Sequence, residues 1–186
     1  ELAEVVPYVQ QEFTAADVDG VVAVIADSAV FTDSFYEAAQ DLRIVARWGV
    51  GFDKVNPEAA TANGVLVTVT PVHMDAVAEY TIAQWMATLK RVYTLNHLSH
   101  GGDFSIIRTF YAQATTLGLY GFGRIGQQTA LPAKPLLGEG SGKLLVYDVR
   151  PGIKEVAAEF RVEAVHRPRR LFERCDPVPP HAAGAD

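Results

Sequence analysis

Apolar residues in this chain occur in short continuous runs separated by stretches with helical spacing. Val21 to Ala26 is a continuous, largely β-branched run, which predicts a strand buried on both faces. Thr32 to Gln40 then reads as helix and Leu42 to Arg47 as a second strand. Asn56-Pro57-Glu58 predicts a helix start, with Asn as cap, Pro at the first helical position and an acid in the first turn. Gly64 ends that helix, Val65 to Val69 is a further buried strand, and Thr70-Pro71 stops it. Strand and helix alternating in this way imply βα units around a parallel sheet.

The longest predicted helix runs from Asp75 to about Leu98, with Ala78, Ile82, Trp85, Leu89 and Val92 on one face. Such a stripe needs a partner, either the core or, for a helix this long, an interface as well. His97 and His100 lack companions at metal-ligand spacing and read as a polar helix terminus. After Gly101-Gly102 the pattern becomes irregular. The domain boundary is therefore expected at 98–102, dividing residues 1–98 from 99–186.

The second half opens on its most informative stretch. Leu117 to Tyr120 is a short apolar run that leads into Gly121-Phe122-Gly123-Arg124-Ile125-Gly126, a G-x-G-x-x-G loop. Gly121 suits the tight turn, Gly123 leaves room for a pyrophosphate against bare backbone, and Gly126 lets the next helix approach the sheet. That helix, starting near Arg124, would aim free N–H groups at the phosphates. A plain strand-to-helix turn is the alternative reading of three glycines. The strand from Lys143 to Tyr147 strengthens the first, because it ends in Asp148, whose carboxylate can accept the adenosine ribose hydroxyls and repel a 2′-phosphate. NAD is thus expected over NADP. Arg150, two residues on, complicates this, since a guanidinium could accept such a phosphate.

The loop is followed by Pro132 and Pro135, each costing about 3 kcal/mol inside a helix, so a short or kinked helix is expected. Gly138, Gly140 and Gly142 mark a flexible connection, and Pro177, Pro179 and Pro180 fall where resemblance to a known family implies a buried strand, a position that tolerates proline poorly. Pro168 to Arg174 reads as a short helix whose basic residues, with His166 and Arg167 before them, form a solvated face.

Composition narrows the classes. With 49% hydrophobic and 20% charged residues in 186, the chain resembles an ordinary globular protein, and its net charge of −6 argues against a general nucleic-acid or acidic-membrane surface. A single cysteine, Cys175, excludes an intrachain disulfide and fits a reducing compartment, the cytoplasm; its apolar setting reads as packing. No apolar run reaches membrane-spanning length. The chain begins at Glu1 and stops abruptly at Asp186, which implies a section of a longer protein.

Several ordered motifs carry a family resemblance. Arg47-Trp48-Gly49-Val50-Gly51-Phe52-Asp53-Lys54-Val55-Asn56, Glu58 to Val65, Val69-Thr70-Pro71, Asp75 to Thr81, the glycine loop and Val146-Tyr147-Asp148 resemble successive motifs of the D-isomer-specific 2-hydroxyacid dehydrogenases, especially the phosphoglycerate dehydrogenases. Cys175-Asp176 to His181-Ala182 also falls in the family's order. The resemblance implies an α/β fold in which a flavodoxin-like substrate domain is joined by a long helix to an incomplete Rossmann-type parallel-sheet domain, with the active site in the cleft between. It implies NAD as cofactor, a small 2-hydroxy or 2-oxo acid as substrate, and a homodimer built partly on the helix near residues 75–98. The backbone N–H groups of Val50 and Gly51 would hold the substrate carboxylate, a role that suits glycine's close approach to an anion. Arg47 would lie near the substrate's far end, where it could bind a phosphate; alternatively it is a strand-end arginine paired with a local carboxylate. Val77 matches a position near the nicotinamide, and His181 one in a loop lining the cofactor. Gly121, Gly123, Arg124, Ile125, Gly126 and Asp148 complete the cofactor set, while Asp53 and Glu79 brace loops.

By resemblance, the chemistry is hydride transfer between the nicotinamide and C2 of a D-2-hydroxy acid, with an arginine, a histidine and a glutamate handling substrate and proton. Those residues follow the position of His181 in the family, so no catalytic residue is expected here; nor is a metal site expected. His73, His97, His100 and His166 do not match the family's histidine. The alternative function is a non-catalytic NAD(H)-binding sensor, like the family's corepressor relatives.

Overall fold

A computed structural model describes residues 4–7, 13, 15–138 and 143–176. It shows an α/β protein with parallel sheets, divided into two compact units, Glu1–Val72 and His73–Asp186.

The first unit holds a three-stranded parallel sheet, β1 (Ala23–Ala26), β2 (Ile44–Arg47) and β3 (Leu66–Val69), in that order. Helices α1 (Asp33–Ala38) and α2 (Pro57–Ala62) form the crossovers. Asn56 is the cap its sequence predicts, Oδ1 accepting from Ala59 N at 3.1 Å with Pro57 at the first turn, while Thr32, read as the first helical residue, instead caps α1, its Oγ1 accepting from Phe35 N. Neighbouring strands joined by right-handed crossovers put both helices on one face. That face carries the row Val24–Val45–Val67 and packs against Phe31, Phe35, Tyr36 and Ala60. The strands are therefore not buried on both faces as expected. Ile25 is 79% and Leu66 60% exposed, because no described element of this unit covers the other side.

In the second unit, β4 (Thr116–Tyr120), β5 (Lys143–Tyr147) and β6 (Glu163–Ala164) form another parallel sheet, with α5 (Arg124–Leu137) and α6 (Ile153–Glu159) as crossovers. Both faces are covered here. Trp85 and Leu89 of α3 (Met74–Leu89) join Leu117, Leu119, Ala130, Ala133, Leu144 and Val146 in one core, while Leu171 of α7 (Pro168–Arg174) packs on Leu145 and Val165 in another. This packing explains why the compact units part after Val72 and not at the boundary expected at 98–102: the apolar stripe of α3 is buried within the second unit.

Two helices differ from expectation. The predicted helix over 75–98 is broken after Leu89, and α4 (Val92–His100) follows Arg91, whose φ is +49°. Phe110 N donates to Leu89 O at 2.9 Å, taking the carbonyl that Tyr93 N–H would use in a continuous helix, and Lys90 Nζ donates to Phe110 O at 2.7 Å. Val92 leaves the stripe and is 48% exposed. Conversely, α5 is not shortened by its prolines and runs for 14 residues. Pro132 and Pro135 both lie on its exposed side, and the carbonyls they leave without donors belong to the exposed residues Gln128 and Leu131, where water can serve them. Ala130, Ala133 and Leu137 keep the opposite side buried.

The basic residues of α7 form the expected solvated face, with Arg169 and Arg170 paired to Glu173 and Arg174 to Glu163. Cys175 packs beside Leu145 and Leu171, and burial pushes its thiol upward, against its own backbone hydrogen bond. Asp176 N donates to Thr116 O at 2.9 Å on the edge of β4 away from β5. Gly140, Gly142, Pro177, Pro179, Pro180 and His181 lie outside the described residues.

Gly118 makes this seating possible. A Cβ there would lie 2.4 Å from Cys175 Sγ and 3.1 Å from Leu171. Gly118→Ala is expected to destabilise the protein by about 1–3 kcal/mol in denaturant titration, through overpacking. Adding Cys175→Ala should recover part of that loss; a Gly118→Ala variant as stable as the wild type would contradict this packing.

Candidate functional site

In the second unit, the candidate site is built where β4 and β5 end side by side. The β4 ladder continues one step past the strand, as Gly121 N donates to Tyr147 O at 2.7 Å. Gly121 turns the chain at φ +97°, a conformation open to glycine, and Gly123 caps α5. A Cβ on Gly126 would lie 2.4 Å from Gly121 O, so the third glycine is required for α5 to leave the loop at this angle. A Cβ on Gly123 would meet nothing within 4 Å. The backbone at the start of α5 thus faces open space, with the unpaired donors of a 14-residue helix behind it. Arg124 is exposed and Ile125 half-buried in its first turn.

Phe122, between the first two glycines, is fully buried and packs edge-on to Phe160 at 5.4 Å. Its backbone is tied at both ends. Phe122 N donates to Asp148 Oδ2 at 2.7 Å, while Phe122 O accepts from Arg150 Nη2 at 2.9 Å and Gln127 Nε2 at 3.1 Å. Asp148 Oδ2 also accepts from Arg150 Nη2 at 3.1 Å, and Oδ1 from Arg150 N and Nε at 2.9 and 3.0 Å. Burial pushes the Asp148 carboxyl upward, but the hydrogen bonds from Arg150 and Phe122 outweigh it and hold the group below its ordinary 3.8. Sequence reasoning singled out Asp148 and Arg150 but missed their hold on the loop, and it missed Phe122 and Gln127 altogether. The signal available was Gln127, one helical turn beyond Gly123.

Val77 is 40% exposed in the first turns of α3. In the first unit, Arg47 closes β2, donates to the carbonyls of Ala26 at 3.3 Å and of Trp48, and pairs with Asp27 at 3.6 Å. In this position the guanidinium braces its own loop. Gly49 lies beneath it at φ +142°, where a Cβ would meet Nη1 at 3.1 Å. Beyond Gly49 the exposed N–H groups of Val50 and Gly51 find no acceptor among the described residues, which leaves two adjacent donors for an anion. No group of three or more His, Cys, Asp or Glu among the described residues is placed to hold a metal ion, and no described helix is long and apolar enough to cross a membrane.

The family description "D-isomer specific 2-hydroxyacid dehydrogenase, catalytic domain" matches residues 4–167. A glyoxylate reductase of Thermococcus kodakarensis is 35% identical over 162 residues, covering 78% of this chain and 46% of that protein. A D-3-phosphoglycerate dehydrogenase of Methanocaldococcus jannaschii is 32% identical over 167 residues, covering 88% and 31%. The chain thus spans about half the length, or less, of the curated relatives it matches. Among solved structures, a D-lactate dehydrogenase from Aquifex aeolicus, complexed with NAD and lactic acid, shares the fold at a TM-score of 0.77 and 22% identity, over 92% of this chain and 51% of that one. A protein from Thermus thermophilus reaches 0.78 at 25% identity, over 92% and 54%.

The lowered Asp148 carboxyl has a consequence for acid stability. A depressed folded value contributes stability above the unfolded value of about 3.8, and that contribution is lost as pH falls through the folded value. Asp148→Asn should be less stable than the wild type at neutral pH, with the gap narrowing below about pH 4. Unfolding curves across that range check it; a gap independent of pH would contradict the clamp.

Proposed function

The chain belongs to the D-isomer specific 2-hydroxyacid dehydrogenase family, and from that premise we propose that the whole protein is an NAD-dependent oxidoreductase acting at C2 of a D-2-hydroxy acid, phosphoglycerate-like or related. NAD, when bound, supplies the hydride acceptor. This chain's own residues bind and orient. The backbone at Gly121, Gly123, Arg124, Ile125 and Gly126 cradles the pyrophosphate, aided by the N-terminus of α5. Asp148 marks the adenosine ribose, and Val77 lies near the nicotinamide. The paired N–H groups of Val50 and Gly51 hold the substrate carboxylate, while Arg47, which shapes that loop, lies near the substrate's far end. No residue of this chain is assigned the proton transfer. His181 retains the cofactor-lining role that its resemblance implies.

The observation that carries this reading is the open space over Gly123, beside a backbone already fixed by Asp148. The residues present suit a dinucleotide phosphate: two of the three glycines are there for shape, and the third leaves its surface bare. The single Cys175 supports a reducing, cytoplasmic setting. A homodimer is supported by the apolar residues exposed on and after α4, among them Tyr93, Phe104, Ile106 and Tyr111.

Isothermal titration of NADH into the chain should show binding that Gly123→Asp abolishes, because the added carboxylate would occupy the phosphate's place and repel it. Equal affinity in both would contradict the proposed site. Light scattering should give a dimer's mass, and a monomer's mass at all concentrations would remove the dimer.

A further inference from the structure

The arrangement of Arg150 bears on which dinucleotide the loop accepts, an inference that rests on the cofactor reading above. An acid at the end of the second strand ordinarily selects NAD in two ways, by accepting the ribose hydroxyls and by repelling a 2′-phosphate. Here the acceptor positions of Asp148 are already taken. Oδ1 receives Arg150 N and Nε, and Oδ2 receives Phe122 N and Arg150 Nη2. The Asp148 side chain is only 9% exposed, whereas that of Arg150 is 55% exposed. Arg150 Nη1 makes no hydrogen bond among the described residues, so a charged donor remains available beside Asp148, the residue to which the cofactor reading assigns the adenosine ribose.

We propose that Arg150 is the specificity-determining residue of the dinucleotide site: it occupies the acceptor that would favour a free 2′-hydroxyl, cancels the carboxylate's repulsion, and presents Nη1 to a 2′-phosphate, so that the chain binds NADPH alongside NADH. The preference expected from Asp148 alone is thereby narrowed. Guanidinium and phosphate form charge-assisted hydrogen bonds, so the effect is specific to the phosphorylated cofactor.

The test is titration of NADH and NADPH, separately, into the 186-residue chain and its Arg150→Ala and Arg150→Gln variants. Wild-type affinity for NADPH should lie within about tenfold of that for NADH. In each variant the ratio of Kd for NADPH to Kd for NADH should rise by about tenfold or more, the loss expected for one charge-assisted hydrogen bond. Since Arg150 also braces Phe122 O, Arg150→Gln, which keeps a donor without the charge, decides the matter if Arg150→Ala loses both cofactors through a disturbed loop. Wild-type protein that binds NADH but not NADPH would overturn the proposal, as would a ratio within about twofold of wild type in Arg150→Gln. Failure of the wild type to bind either cofactor would overturn the site reading itself, and this inference with it.

Discussion

The phosphate cradle proposed for the second unit depends on the contact between Phe122 N–H and the Asp148 carboxylate. Parallel strands β4 and β5 bring a tight turn and a strand end to the same level, and this 2.7 Å bond joins them. The glycines then take up their separate tasks on a backbone that does not have to order itself around a ligand. Arg150 and Gln127 hold the carbonyl of the same residue, so the peptide units flanking Phe122 are fixed from both sides. An internally satisfied carboxylate of this kind is stable only because its partners are charged or well aligned, since burial alone would favour its protonation.

The sheet beneath sets the loop's position. Leu117, Leu119, Leu144 and Val146 are buried on one side by α3 and α5, and Leu145 on the other by α7, so the strand ends cannot shift independently. Gly118 and Gly126 serve the same end by opposite means, one admitting a helix against a strand and the other admitting a helix against a turn. The loop of the first unit follows a simpler plan, in which Arg47 folds back over Gly49 and leaves the N–H groups of Val50 and Gly51 exposed.

Local chemistry was legible in the sequence. Asn56-Pro57, Pro168 at the start of α7, and the glycine spacing each act within a few residues, and each appears where it was expected. Features that depend on distant partners were not. At the break after Leu89, Phe110, far along the chain, donates to the carbonyl that the next helical turn would have used. That the described elements of the first unit leave one sheet face uncovered follows from which side its helices take, and a run of valines and isoleucines carries no record of that. The continuity of α5 depends on both prolines falling on the solvent side, which requires knowing where the core lies. Asp148 and Arg150 were visible as residues, but their grip on the loop is a matter of geometry between two strand ends.

Amide hydrogen exchange at Phe122, in the protein without cofactor, tests the central claim most directly. The clamp requires this N–H, though it lies in a loop, to be protected to a degree comparable with the β4 amides, and Asp148→Asn to remove most of that protection. Exchange at the rate of an open loop in the wild type would show that the glycine turn is not held by Asp148, and the account of a preformed phosphate cradle would be contradicted.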